Sequence, residues 1–171
     1  MRLETERLCL RPLEPADAEA LNRIQADSGH MRFYPHPFSM RDTEAWIARQ
    51  IEVRALNGFS LLAVEDLQSG EFLGNVGPTV QNVDGVDEVE LGWSITPTRA
   101  RQGIATEAAL ACRDWCFEHL EVPHLISLVR PENMPSAGVA RNVGMTVWKE
   151  TMHGSMAWPH LVYRVRRDEV G

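Results

Sequence analysis

The residues most able to do chemistry fall in one run, "ELGWSITPTRARQGIATEA", residues 90 to 108. Glu90 heads it with a carboxylate. Arg99 and Arg101 then place two cations ahead of Gly103, which is followed by the small residues Ala105 and Thr106. The run reads as a strand passing through Pro97 into a helix, and the first turn of a helix carries unpaired N–H groups and the positive end of the helix dipole. A glycine just before it lets ligand oxygens reach the main chain. The N–H groups from about Arg101 through Gln102, Gly103, Ile104 and Ala105 to Thr106 therefore form a candidate anion site, with the Thr106 hydroxyl as a further donor. Each charge gains only about 0.3–1 kcal/mol from the dipole, so several donors and a cation must act together. The letters match neither GxxxxGKS/T nor GxGxxG. Taken by itself, the loop is a site for some anion, with pyrophosphate favoured. The alternative is a solvated arginine pair beside an ordinary left-handed glycine.

The strand before the loop points the same way. In "VELGWSI", Val89, Leu91, Trp93 and Ile95 share one face, and Glu90, Gly92 and Ser94 share the other. A central strand with one nearly bare face implies that something other than its own side chains fills that side. A bulge, common near sites, is the feature that would break this alternation.

Those residues need a scaffold. The segment "RLCLRPL" reads as a strand, and "EPADAEALNRI" as a helix with Leu21 and Ile24 on one face and Asp17 at its start. In "SMRDTEAWIARQIEVRALNG", the Ser39/Asp42 spacing approaches a capping box and Asn57-Gly58 supplies a stop, which makes a second helix. "FSLLAVED", "FLGNVGPTV" and "VDEVELGWSI" are joined by short turns and form an antiparallel meander. A helix from about Ala105 to Leu120, a strand "LISLVR", a helix from about Ala137 to Asn142 and two last strands around "MTVWKET" and "HLVYRVR" complete the order. The expectation is an α/β (α+β) fold, a mixed and mostly antiparallel sheet of about seven strands flanked by about four helices, in a single domain over residues 1–171.

Composition narrows the function. The net charge is -7, from 17 Lys and Arg against 24 Asp and Glu, which argues against a nucleic-acid partner. No apolar run approaches the roughly 20 residues of a membrane span, and "MRLETERLCL" lacks the pattern of a secretory leader. Cys9, Cys112 and Cys116 suit no disulfide framework, so a cytoplasmic chain with free thiols is expected. Cys112, Cys116 and His119 share a helical face, yet no fourth ligand stands at a recognisable spacing and Trp115 and Leu120 suggest packing, so no metal site is assigned.

The run at 90–108, followed by "RPENMPSAGVARNVGM", resembles the acyl-CoA-binding core of the GNAT acetyltransferase superfamily. The branch it is most similar to is that of the ribosomal-protein N-terminal acetyltransferases, and the likeness extends from "LETERLCLRPLEPADAEAL" to "HLVYRV". The resemblance implies acetyl-CoA as co-substrate and an amine acceptor, either a protein N-terminus or a small amine, and the family commonly forms dimers. Its loop, Q/R-x-x-G-x-G/A, falls on Gly103 and Ala105, with Ala100 at the first position, where Arg99 or Arg101 would have to compensate. The bare strand face would take the pantetheine arm, paired with the backbone near Trp93 and Ile95. Glu90 would be the general base, because an alkyl amine with a pKa of about 10 must lose a proton before it attacks. Its alternative is an ion pair across the sheet. Asn133 and Ser136 match the branch's Asn-x-x-Ser, with Asn133 orienting the cofactor amide or the substrate, and the leaving thiolate protonated by Ser136, by water, or not at all. Capping of the next helix is the plainer role for both. The tyrosine that many members use as acid falls on Ala140. Two rival readings remain, an antibiotic- or polyamine-modifying enzyme of this fold and a non-catalytic acyl-CoA-binding module.

Overall fold

Apolar residues that alternate by two in the strands and by three or four in the helices settle around one sheet in the computed structural model, which describes residues 1–170. The strands are β1 (Leu3–Glu4), β2 (Leu8–Pro12), β3 (Leu62–Asp66), β4 (Phe72–Val83), β5 (Val86–Ile95), β6 (His124–Val129), β7 (Thr146–His153) and β8 (Trp158–Arg166). Their order across the sheet is β1-β2-β3-β4-β5-β6-β8-β7, and every neighbouring pair is antiparallel except β5 and β6. Eight strands stand where about seven were expected. The additional one, β1, is two residues long and too short to show a period in sequence; it pairs Leu3 with Leu10 and Glu4 with Cys9.

Four helices cover the sheet: α1 (Ala18–Gln25), α2 (Met40–Asn57), α3 (Ile104–His119) and α4 (Met134–Asn142). On one face, Ala108, Cys112 and Cys116 of α3 and Ala140 of α4 pack with Leu91, Leu125 and Val165 of the strands. On the other, Leu21 of α1 and Ile47 of α2 close over Leu61 and Ala63. The Ser39 side chain accepts from the Asp42 N–H while Asp42 accepts from the Ser39 N–H, so the capping box forms, and Gly58 ends α2 in the left-handed region at φ 80°.

Helix α4 begins at Met134, three residues ahead of the expected start at Ala137. Pro135 suggested a loop, but a proline is tolerated in the first turn, where its missing N–H has no helical partner to lose. The centre of the sheet also depends on one glycine. Gly74 of β4 sits at φ 143°, and a Cβ there would lie 2.1 Å from the Ser94 carbonyl oxygen of β5. Any larger residue would push β4 away from the strand that carries Glu90.

Candidate active site

β5 pairs with β4 in unbroken register from Val86↔Val83 to Ile95↔Gly74, so no bulge interrupts that ladder and the alternation read from sequence holds. On its other edge β5 meets β6 at one pair, Glu90↔Ile126. Past that point two side chains replace the missing ladder. The Ser127 hydroxyl donates to the Leu91 carbonyl at 2.6 Å, and the Leu128 N–H donates to Glu90 Oε1 at 3.1 Å. Residues 92–95 then present an edge with no strand partner among the described residues. A cleft of about 300 Å³ opens here, with Glu90, Trp93, Ser127, Asn133 and Ser136 in its wall.

Glu90 sits largely buried in that wall, and burial pushes its carboxyl up to about 7; the Leu128 N–H and then the Gln81 amide pull against that rise. No arginine pairs with it, so the cross-sheet ion pair considered from sequence does not form. A carboxyl poised near neutrality inside a cleft has the proton affinity that a general base needs.

The start of α3 is shaped by two left-handed residues, Arg101 at φ 63° and Gly103 at φ 78°, the latter being the N-cap. A non-glycine residue in this region is strained, and strain of this kind collects at ligand sites. With no side chain from Gly103 capping the helix, the N–H groups of Ile104, Ala105 and Thr106 lack intrahelical acceptors. The Ile104 side chain is buried in the core, so that residue can offer a ligand only its main chain. Arg101 and Gln102 are exposed, and the Arg101 guanidinium makes no ion pair among the described residues. Arg99 differs from expectation. It turns back to Asp66 at 3.1 Å and Glu71 at 3.4 Å, so it is not the free cation that would make good the Ala100 departure.

Glu107, in the first turn of α3, would oppose an anion if it were free. It is instead held by the Thr5 hydroxyl at 2.5 Å, the Arg7 N–H at 3.0 Å and Arg7 Nε at 2.7 Å, while Arg7 Nη1 donates to the Gln102 carbonyl. Burial raises the Glu107 carboxyl, but these donors outweigh it and leave the group below its usual range. Nothing in the sequence linked residues 5 and 7 to residue 107.

Two further expectations change. The bare face of β5 is covered by the chain itself over part of its length: the Leu61 side chain lies where a Gly92 Cβ would come within 3.3 Å, and His30 Nε2 meets Ser94 Oγ at 2.8 Å. Alternation told which side is bare but not that a loop 60 residues away reaches it. Trp93 and Ile95 pack on the core side, so only their backbone borders the open edge. Asn133 caps α4, its Oδ1 accepting from the Ser136 N–H at 3.2 Å, as the plainer reading had it. Its amide nitrogen and the Ser136 hydroxyl make no hydrogen bond among the described residues. The cleft also gathers Tyr34 from the loop before α2, Arg130 just past β6, His153 at the end of β7, and Trp158 and His160 at the start of β8, segments whose letters give no sign that they meet. Tyr34 is 48% exposed as a residue, yet loss of water around its phenol, and then the Glu90 charge, raise that phenol above its ordinary value.

Cys112 and Cys116 are buried, and burial drives both thiols up, Cys116 to about 12. His119 stacks on Trp115, ring centroids 4.7 Å apart. No described helix is long and apolar enough to cross a membrane.

Comparison with known proteins fits this geometry. Residues 7–146 match the acetyltransferase (GNAT) domain family. The uncharacterized protein YkkB of Bacillus subtilis (strain 168) is 31% identical over 145 residues, 84% of each chain. An acetyltransferase from Agrobacterium tumefaciens str. C58 superposes with a TM-score of 0.81 at 32% identity, covering 97% of this chain and 94% of that one. Mycobacterium smegmatis RimJ, whose structure is a complex with CoA-disulfide, gives 0.74 at 26% identity over 95% of this chain and 83% of its own. An open-edged β5, a left-handed glycine at the head of α3 and this breadth of similarity place the chain in the GNAT family, as an acetyl-CoA-dependent acetyltransferase.

Proposed function

We propose that the chain, acting as one domain, transfers acetyl from acetyl-CoA to the nitrogen of a primary amine by direct attack, with Glu90 as the general base. The observation that carries this reading is the single β5–β6 pair at Glu90↔Ile126, which leaves an open strand edge running from the buried carboxylate toward the N-terminus of α3. Acetyl-CoA supplies the activated thioester. Main-chain N–H groups at 101–106 would hold its diphosphate, and the free edge near Trp93 and Ile95 would pair with its pantetheine arm and polarise the thioester carbonyl.

Glu90 would accept the proton that the amine releases as its nitrogen bonds to the acetyl carbon and the C–S bond breaks. The thiolate needs a proton in return. Ser136, whose hydroxyl lines the cleft without an internal partner, and the Tyr34 phenol are the donors at hand, with water beside them. A covalent acetyl-cysteine route is disfavoured, because Cys9, Cys112 and Cys116 are all buried and two of the thiols are driven far from thiolate.

The reading is tested by thiol release from acetyl-CoA across a panel of amines. Wild-type kcat/KM should rise as pH passes through about 7, where Glu90 gives up its proton. Glu90→Gln should lower kcat by about 100-fold and flatten that rise. Full activity in the variant with an unchanged pH profile would remove the base assignment.

A further inference from the structure

The wall of the cleft beyond β6 carries donors that nothing among the described residues accepts. Arg130, Asn133 and Ser136 follow the end of β6 at intervals of three and all border the cleft. Arg130 Nε is buried and has no hydrogen-bond partner among the described residues. Its guanidinium lies 4.4 Å over the Trp158 ring, and the carboxylate nearest to it, Glu132, is 3.6 Å away and 62% exposed, a pair that solvent weakens. The Asn133 Oδ1 is spent on capping α4, which leaves a donating amide nitrogen, and the Ser136 hydroxyl is also free. Glu90 is the one carboxylate bordering the cleft among the described residues, and Arg130 the one permanently charged cation. His160 is held toward its neutral form by burial, its Nδ1 against the Trp158 carbonyl at 2.9 Å, and His153 stands edge-on to it.

A donor buried without a partner is unfavourable, so Arg130 Nε calls for an acceptor in the cleft. The diphosphate of acetyl-CoA belongs elsewhere, at α3, which follows β5. The sheet order puts β8, with Trp158 and His160, on the far side of β6 from β5. The thioester and amide groups along the pantetheine arm are uncharged and do not call for a guanidinium. A planar guanidinium fixed over an indole offers its edge to a planar anion in two-point contact.

We propose that the Arg130 end of the cleft binds a carboxylate carried by the amine acceptor, so that the enzyme acetylates amino-acid-like or acidic amines and not polyamines. This rests on the acetyltransferase reading of the same cleft. The carboxylate comes either from a free α-amino acid or from an acidic residue next to a peptide N-terminus, and aromatic walls from Phe33, Tyr34 and Trp158 suit an apolar remainder in either.

The test uses product-side binding, which needs no turnover, together with rates. Calorimetric titration of the intact protein with CoA present compares N-acetylphenylalanine with N-acetylphenylalaninamide, and N-acetyl-Ser-Asp-amide with N-acetyl-Ser-Asn-amide. Thiol release is then measured on the corresponding free amines and on spermidine. At least one carboxylate member should bind about 10-fold or more tightly than its amide, and which pair shows this tells the two sources apart. Arg130→Gln should abolish that preference while CoA affinity stays within about threefold. Arg130→Lys, which keeps the charge and the stem, should retain part of it. Equal binding within both pairs, no detectable binding of any of the four, or a preference that survives Arg130→Gln overturns the proposal. Carboxylate-selective binding with no turnover of any amine would leave this subsite standing and remove the transferase reading instead.

Discussion

At the α3 end of the proposed site, outside the residues that line the cleft, the groups that would meet a ligand are main-chain N–H groups, set out by the left-handed Arg101 and Gly103. At the β6–β8 end they are side chains: the guanidinium of Arg130, the amide of Asn133 and the hydroxyl of Ser136. The first end depends on backbone shape, so most side-chain changes leave its donors in place. The second can be rewritten one residue at a time while the sheet stays as it is. An enzyme arranged this way keeps its acyl donor while its acceptor drifts, which is how one fold serves many amines.

The sharpest way to break this contrast is Gly103→Val. A β-branched residue at φ 78° is strained and places bulk where an anion would approach, so CoA affinity should fall by about 100-fold or more while the carboxylate-to-amide ratio of the acceptors is unchanged. Calorimetry with CoA and the paired acceptors measures both, and a changed acceptor ratio would show that the two ends are not separate.

The next effect concerns the seam between them. Burial pushes the Glu90 carboxyl up to about 7 from its ordinary 4.5, so the stability linked to its protonated form is full below pH 4.5 and is lost as pH rises through 7. Glu90→Gln copies the neutral form. Melting curves should therefore show the variant more stable than wild type at pH 8, by about 3 kcal/mol at most, with the gain fading by pH 4.5. A variant less stable at pH 8 would mean that burial is not what governs this carboxyl.

Smaller effects separate capping from binding. Asn133→Ala removes the side-chain acceptor at the start of α4 and should lower stability by about 1 kcal/mol, or roughly 2–4 °C in Tm. Ser136→Ala removes only an unpartnered hydroxyl and should leave Tm unmoved. Smallest is Arg101→Ala, which should weaken CoA binding by about threefold at low salt, with the difference shrinking as ionic strength rises. If Arg101→Ala exceeded the effect of Gly103→Val, side-chain charge and not backbone shape would rule the α3 end.

The same contrast explains what the sequence disclosed. Period-two alternation placed β5 at Val86–Ile95 to the residue, and the Ser39/Asp42 spacing located the head of α2. Those are local signals, carried by neighbours in the chain. The Gly103 turn was legible for the same reason, since a left-handed N-cap and small following residues leave their mark in consecutive letters. The clamp of Thr5 and Arg7 on Glu107, the retreat of Arg99 to Asp66 and the cover of His30 over Ser94 were not, because each joins segments more than 30 residues apart. Nor could the letters of "HMRFYPHPF" and "MHGSMAWPH" reveal that Tyr34, His153 and Trp158 face one cleft, because Tyr34 lies in a loop without period and only the fold brings the end of β7 and the start of β8 to it.

One hydrogen bond in the seam has a wider reach. The Leu128 N–H donates to Glu90 Oε1 and, with the Ser127 hydroxyl, spans the gap where β5 and β6 part. The atom that would take the proton from the attacking nitrogen is thus also a rivet between two half-sheets. Each catalytic cycle would charge and discharge that rivet: the charged carboxylate would draw the Leu128 N–H more strongly while its burial strains the seam, and proton uptake from the departing amine's nitrogen would relax both.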